Sequence, residues 1–367
     1  MSQSKITRSD FLRQGSCLAA CALSGGGLAS LPACAGEGKP QSAAGVTLRP
    51  YELLCLICAL GESDQPPKDP KLRAVYEAVR QDPDLPMTIS CNAGDVYIYQ
   101  DPGPKDDTAE GRDFNRKRDL DILQRMSWPP GVTLPARTAL RCVHRQIASV
   151  AGICGYDKVT SEAWKGCPKG KSGHYEKGHA KGLTRLIPPR TETEMIGEKE
   201  KSIKALQEAE VVTTRPHILL CAVCQYGGGL RPPYEADNLP ELLDLILHKK
   251  PEVRIKFARQ ADWMMCAPCP NRAPNRNACV NVLGSGGLSN EKRDLDMLQI
   301  LGLEFGSVVK ARELFRLIFE KIPTTQEVCK RDNLCPSVWW DGCGESNMKK
   351  GNASYEKGRR ELMEKML

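Results

Sequence analysis

Lys117-Arg118-Asp119-Leu120-Asp121, followed by Leu123-Gln124, returns letter for letter as Lys292-Arg293-Asp294-Leu295-Asp296, followed by Leu298-Gln299. Outward from this anchor the same landmarks recur in the same order. Arg49-Pro50 with Cys55 and Cys58 corresponds to Arg215-Pro216 with Cys221 and Cys224, and Trp164 to Cys167 corresponds to Trp340 to Cys343. Tyr175-Glu176-Lys177-Gly178 and Tyr355-Glu356-Lys357-Gly358 close the two stretches. Such self-similarity reads as an internal duplication, with two units of roughly 130 to 150 residues each. Residues present in both copies are candidates for what the unit requires.

Hydrophobic spacing fills in the elements. In the first copy, Arg49 to Leu60 and Lys71 to Arg80 read as helices, and Met87 to Cys91 and Val96 to Tyr99 as short strands. Arg116 to Met126 reads as an amphipathic helix with Leu120, Leu123 and Met126 toward the core. Pro135 opens a helix presenting Leu140, Val143, Ile147 and Val150. The second copy repeats this with helices from His217 to Cys224 and Leu239 to His248 and a strand near Val253 to Phe257. A helix around Leu295, Leu298 and Leu301 follows, then one capped by Ser307 that carries Leu314, Phe315, Ile318 and Ile322. The fold class expected is α+β, α-rich, with two related cysteine-rich domains at 45–185 and 213–367. The charged helical stretch of 186–212 reads as a semi-rigid linker.

Residues 1–34 read as an export signal: Lys5 and Arg8 precede a weakly apolar run that ends Leu31-Pro32-Ala33-Cys34, a lipoprotein-type cleavage site. Thr7 to Arg13 resembles a twin-arginine signal with Ser9 in place of the second arginine. Lipidation of Cys34 would tether an exported protein to the cell envelope, facing the periplasm. The formal charge of +7 is spread among acids rather than gathered in a stripe, which gives no footprint for nucleic acid.

With 17 cysteines and only 5% aromatics, cross-linking or metal capacity is high while apolar burial is ordinary. The repeat sorts the cysteines. Cys55, Cys58, Cys154 and Cys167 align with Cys221, Cys224, Cys329 and Cys343, and each set would complete a tetrathiolate shell for zinc or an iron-sulfur cluster. Cys266, Cys269, Cys279 and Cys335 occur only in the second copy and suffice for a further tetrad. Cys91 and Cys142 lack counterparts and read as a disulfide or buried thiols. An oxidising location equally permits a set of disulfides, so metal and disulfide both stay open. His217 lies one helical turn before Cys221, where packing or capping competes with ligation, and Tyr51 takes its place in the first copy. His174 and His179 read as solvent-exposed, and Trp164 and Trp340 as shields or packing.

Thr214-Arg215-Pro216-His217-Ile218-Leu219-Leu220-Cys221, then Asp262 ahead of Cys266-Ala267-Pro268-Cys269-Pro270 with Cys279, then Cys329 to Cys335 ahead of Trp339-Trp340, resembles a known family. It is domain of unknown function 1284, bacterial and archaeal proteins described as iron-sulfur-binding. Members open with Arg-Pro-His-His-Leu-Leu-Cys, continue with Asp-x-Cys-x-x-Cys-Pro and end in a segment containing Cys and Trp. The resemblance covers roughly residues 214 to 345. Ile218 replaces the second His, Asp262 stands farther from its cysteine, and in the first copy Tyr99 falls where Cys266 sits. The resemblance implies an iron-sulfur centre and carries no established reaction.

No P-loop, dinucleotide glycine motif, nucleophile elbow or His-Glu-x-x-His helix is present, so no enzyme class declares itself. The expected function is an exported, lipid-anchored iron-sulfur or other metal protein serving electron transfer or structure, with a redox or envelope protein as partner. The alternatives are a disulfide-stapled envelope binding protein and a thiol-disulfide oxidoreductase.

Overall fold

The computed structural model describes residues 45–91, 95–104, 107–273, 277–280, 288–329 and 352–366. Helix outweighs strand, 54% against 9%, so the chain is an α-rich α+β protein. β1 (Val46–Leu48) runs straight into α1 (Pro50–Glu62), with Pro50 at the first helical position, where a missing N–H costs nothing. α2 (Pro70–Gln81) uses the same device and is capped by Asp69, whose side chain accepts from the Leu72 N–H at 2.8 Å. These two helices make the crossover that lets β2 (Pro86–Ile89) lie parallel to β1. After α3 (Arg112–Met126), β3 (Val132–Pro135) pairs antiparallel with β2, which is therefore central. α4 (Ala136–Gln146) and α5 (His174–Lys181) follow, and one core gathers Leu53, Leu56, Ile57, Met87, Ile89, Ile122, Leu140 and Val143.

The rest of the chain presents elements in the same order. α6 (Glu192–Glu208) leads to β4 (Val211–Thr214) and α7 (Pro216–Gly227). α8 (Leu239–Asp244) runs on into a π-helical turn at Leu245–Lys249, and β5 (Arg254–Phe257) returns parallel to β4. After α9 (Trp263–Cys266) and α10 (Leu288–Leu301), β6 (Val308–Lys310) closes the sheet antiparallel to β5. α11 (Ala311–Lys321), α12 (Gln326–Cys329) and α13 (Ala353–Met366) complete the described chain. The second core holds Leu219, Leu220, Ile255, Phe257, Met297, Leu314, Phe315 and Ile318. Among the described residues no helix is long and apolar enough to cross a membrane.

Several expectations are corrected. Val96 to Tyr99 is not a strand but part of a 3-10 turn over Asp95–Gln100, and Ile98 and Tyr99 stand in solvent, so no core face held them extended. Leu120 and Leu295 are not core residues: they are 43% and 49% exposed, because each helix buries its Asn, Arg and Asp face instead. Ser307 does not cap α11. Its hydroxyl accepts from the Glu304 N–H at 3.0 Å within a turn before β6, and Lys310 occupies the N-cap. Pro135 ends β3 and precedes α4 rather than sitting inside it. The stretch read as a linker is helical and packed, with Ser202 buried and Leu206 in the second core. Residues 1–34, with Cys34, lie outside the described residues, as do Cys335, Trp339, Trp340 and Cys343.

Candidate metal centres

The repeated anchor is an electrostatic clamp. Asp119, fully buried on α3, accepts from Arg49 Nε at 2.8 Å and from the Tyr51 N–H at 3.1 Å, so it ties down both the residue before α1 and the first turn of that helix. Asp294 on α10 does the same for α7: Arg215 Nε donates at 2.7 Å and the His217 N–H at 3.0 Å. Arg49 also pairs with Asp107 at 2.5 Å. Burial pushes Asp119 up, to about 6, against the pull of Arg49. Asp294 is desolvated too, but His217 and Arg215 outweigh that and hold it below the usual carboxylate range.

Burial lowers His217 against the pull of Asp294, and its Nδ1–H donates to Asp294 Oδ1 at 2.6 Å. That bond commits Nδ1 to ordering α7, which agrees with the packing role. The lysines of the anchor form i,i+4 pairs on the outer face, Lys117 with Asp121 and Lys292 with Asp296.

With α1 fixed, Cys55 and Cys58 face one way, one helical turn apart. Cys154 and Cys167 come to the same place on a loop in which the Cys167 N–H donates to the Cys154 carbonyl at 2.8 Å. Gly166, at φ 87°, and Gly170 lie against that carbonyl, where a Cβ would not fit. All four cysteines line one cavity of about 240 Å3, together with Tyr175 and Arg118. Tyr175 is pinned by its hydroxyl, which donates to the Ile147 carbonyl at 2.6 Å.

Arg118, only 1% exposed, brings a guanidinium to this wall. It donates to Asn115 Oδ1 at 2.5 Å and lies over the Tyr51 ring at 3.8 Å, while its Nε finds no partner. Burial pushes the thiols up, Cys58 to about 11 and Cys154 to about 12, with Cys55 raised further. Arg118 is the main opposing influence on Cys55 and Cys154. All four are thiols rather than disulfides.

In the second half, Cys221 and Cys224 lie on α7 and Cys329 ends α12. Asn352 Nδ2 donates to Cys224 Sγ at 3.1 Å. Tyr355 hydrogen-bonds the Ile322 carbonyl at 2.7 Å, and its hydroxyl is raised first by burial and then by Cys224 and Cys329. Burial and then Cys154, Glu176 and Cys58 act on Tyr175 in the same sense.

A third grouping surrounds Cys266. Cys269 and Cys279 lie within its electrostatic reach, as do Asp237 and Asp262, and burial raises Cys266, Cys269, Asp237 and Asp262. Asp262 caps α9 through the Met264 N–H at 2.8 Å, and Arg272 bridges antiparallel to Cys279. Asp237 carried no sequence signal, since it stands alone in a loop, and Arg118 was legible only through its repetition. Cys91 and Cys142 are buried thiols. His179 is not solvent-exposed but half-buried, stacked on His144 with ring centroids 4.1 Å apart. Trp164 is half-buried and does not line the cavity.

Among the described residues no group of three or more His, Cys, Asp or Glu side chains stands close enough to hold a single metal ion. Compared with protein-family models, curated proteins and solved structures, the chain gives no match.

Proposed function

We propose that the chain is an iron-sulfur protein of two related cysteine-rich domains, derived from a duplication, with an electron-transfer or structural role. The observation that carries this reading is the placement of Cys55, Cys58, Cys154 and Cys167 around one cavity of about 240 Å3. A mononuclear zinc site needs its sulfurs drawn in to metal bonds of about 2.3 Å, whereas a cluster fills space between thiolates set farther apart. The donor set and the room between its members therefore fit a cluster better than one ion.

Cys221, Cys224, Cys329 and Cys343 would hold a second centre, and Cys266, Cys269, Cys279 and Cys335 a third. When bound, such a cluster supplies one-electron chemistry. The protein's own part is to keep water out with Leu54, Leu72 and Tyr175 and to set the Arg118 cation beside the sulfurs, where it stabilises their anionic form. Thiols raised this far by burial are poor nucleophiles, which counts against the thiol-disulfide oxidoreductase reading. Export, anchoring through a lipidated Cys34 and an envelope redox partner belong to the same proposal, with no role for nucleic acid.

Protein purified without oxygen is expected to contain iron and acid-labile sulfide and to show visible absorption that bleaches on reduction. Colourless protein with stoichiometric zinc would assign the sites to structural zinc. Metal-free protein with every thiol blocked would sink both and favour the disulfide-stapled binding protein.

A further inference from the structure

A second cavity, of about 730 Å3, lies between α4 and the loop that follows α9, well within the size of sites that enclose small molecules. Its wall is rich in arginine. Arg137 is matched by Asp84 at 3.0 Å and Arg190 by Glu194 at 3.1 Å. Arg80 donates to the Tyr76 hydroxyl at 3.3 Å and lies over that ring at 5.7 Å.

Arg141 and Arg272 make no salt bridge among the described residues, although Asp84 lies within electrostatic reach of Arg141 and Asp262 within reach of Arg272. Arg141 donates to the Val280 carbonyl at 2.7 Å, and Arg272 donates to Asn277 Oδ1 at 2.8 Å. Arg272 is 9% exposed and its Nε has no hydrogen-bond partner, so a buried donor on the cavity wall is left unsatisfied. Burial, and then the neighbouring Arg137, make the charge on Arg141 costly. A wall with two guanidiniums outside any described salt bridge, one with an unsatisfied Nε, is complementary to an anion.

We propose that this cavity binds a small oxyanion, a carboxylate or phosphate compound, gripped between Arg141 and Arg272. Ile187, Pro188 and Pro270 on the same wall would cover a short carbon skeleton. The site adjoins the third cysteine grouping: the Arg272 N–H donates to the Cys269 carbonyl at 3.1 Å, and Arg190 Nη1 donates to the same carbonyl at 2.8 Å. A bound anion would thus sit on an arginine three residues along the chain from Cys269. The proposal stands whether or not the cysteines hold iron.

Calorimetric titration of the full chain at low salt, with succinate in one arm and inorganic phosphate in the other, tests it. Saturable one-site binding is expected in at least one arm, and which arm responds separates carboxylate from phosphate ligands. Arg141→Gln should weaken that binding by about tenfold or more, as loss of a charge-assisted hydrogen bond does, and Arg141→Lys should weaken it less. Arg272→Gln should act in the same direction, since both guanidiniums grip the anion. Arg254→Gln, on β5 away from the cavity, should leave the affinity unchanged. Silence in both arms, or equal weakening by Arg141→Gln and Arg254→Gln, would overturn the assignment.

Discussion

The residue that decides most is Asp119, with its counterpart Asp294. A carboxylate buried against an arginine is costly to desolvate, and removing one partner leaves the other charge stranded. Asp119→Ala is therefore expected to lower unfolding free energy by up to about 3–5 kcal/mol, because Arg49, 1% exposed, would keep only Asp107 and the Tyr51 N–H would lose its acceptor. Leu120→Ala, one position along and pointing to water, should cost within about 0.5 kcal/mol. Urea midpoints of the two variants check this; a Leu120 cost equal to that of Asp119 would contradict the assignment of faces. The contrast also marks what sequence could reveal. Letter-for-letter repetition picked out Arg118 and Asp119 as required residues. It did not disclose their place, since hydrophobic periodicity assigns the core to Leu120 and has no rule for a helix that buries its ionic face. For Cys55, Cys58, Cys154 and Cys167 the repeat named a group that the fold brings to one cavity.

At the scale of elements, α1, α2 and α7 were legible to within a few residues, as each announces its start with a proline, whereas α5 and α13 were not read as helices. Of the strands, β2 and β5 were read and the rest were not, because three-residue and four-residue strands carry too little pattern to separate them from a 3-10 turn such as Asp95–Gln100. Packing between helices was invisible for another reason. Gly61 on α1 and Gly178 on α5 meet backbone to backbone: a Cβ on Gly61 would strike the His174 carbonyl, and one on Gly178 the Ile57 carbonyl. Gly227 and Gly358 hold α7 against α13 in the same way, although Gly227 reads in sequence only as a loop signal. Each helix pair carries site residues on both members, Cys55 and Cys58 opposite Tyr175, so separation of the helices opens the cavity. Gly61→Ala should destabilise by about 1–3 kcal/mol, as overpacking against rigid backbone does. Gly197→Ala, in the middle of α6 with nothing within 4 Å, should instead stabilise by about 0.4–1 kcal/mol. Thermal midpoints moving in opposite directions are the expected result, and a shared direction would remove the close-approach argument.

Over the whole molecule, two cores carry three cysteine groupings, and the groupings are not equivalent. Cys55, Cys58, Cys154 and Cys167 belong with the first core, and Cys221, Cys224 and Cys266 with the second. Only the second half adds Cys269 and Cys279, so any metal should be distributed unequally between the halves. Sites that share no ligand and sit in separate packing clusters lose occupancy independently. Under the iron-sulfur reading, Cys55→Ser with Cys58→Ser should remove the iron of one centre and leave the remainder. Cys266→Ser with Cys269→Ser should remove that of another, and the fourfold variant should lose the sum of the two. Iron and sulfide analysis of anaerobically prepared full chain measures this directly. Loss of all iron from either double variant would mean that the thiolates serve one shared centre, and the repeat would then mark two halves of a single site rather than two sites.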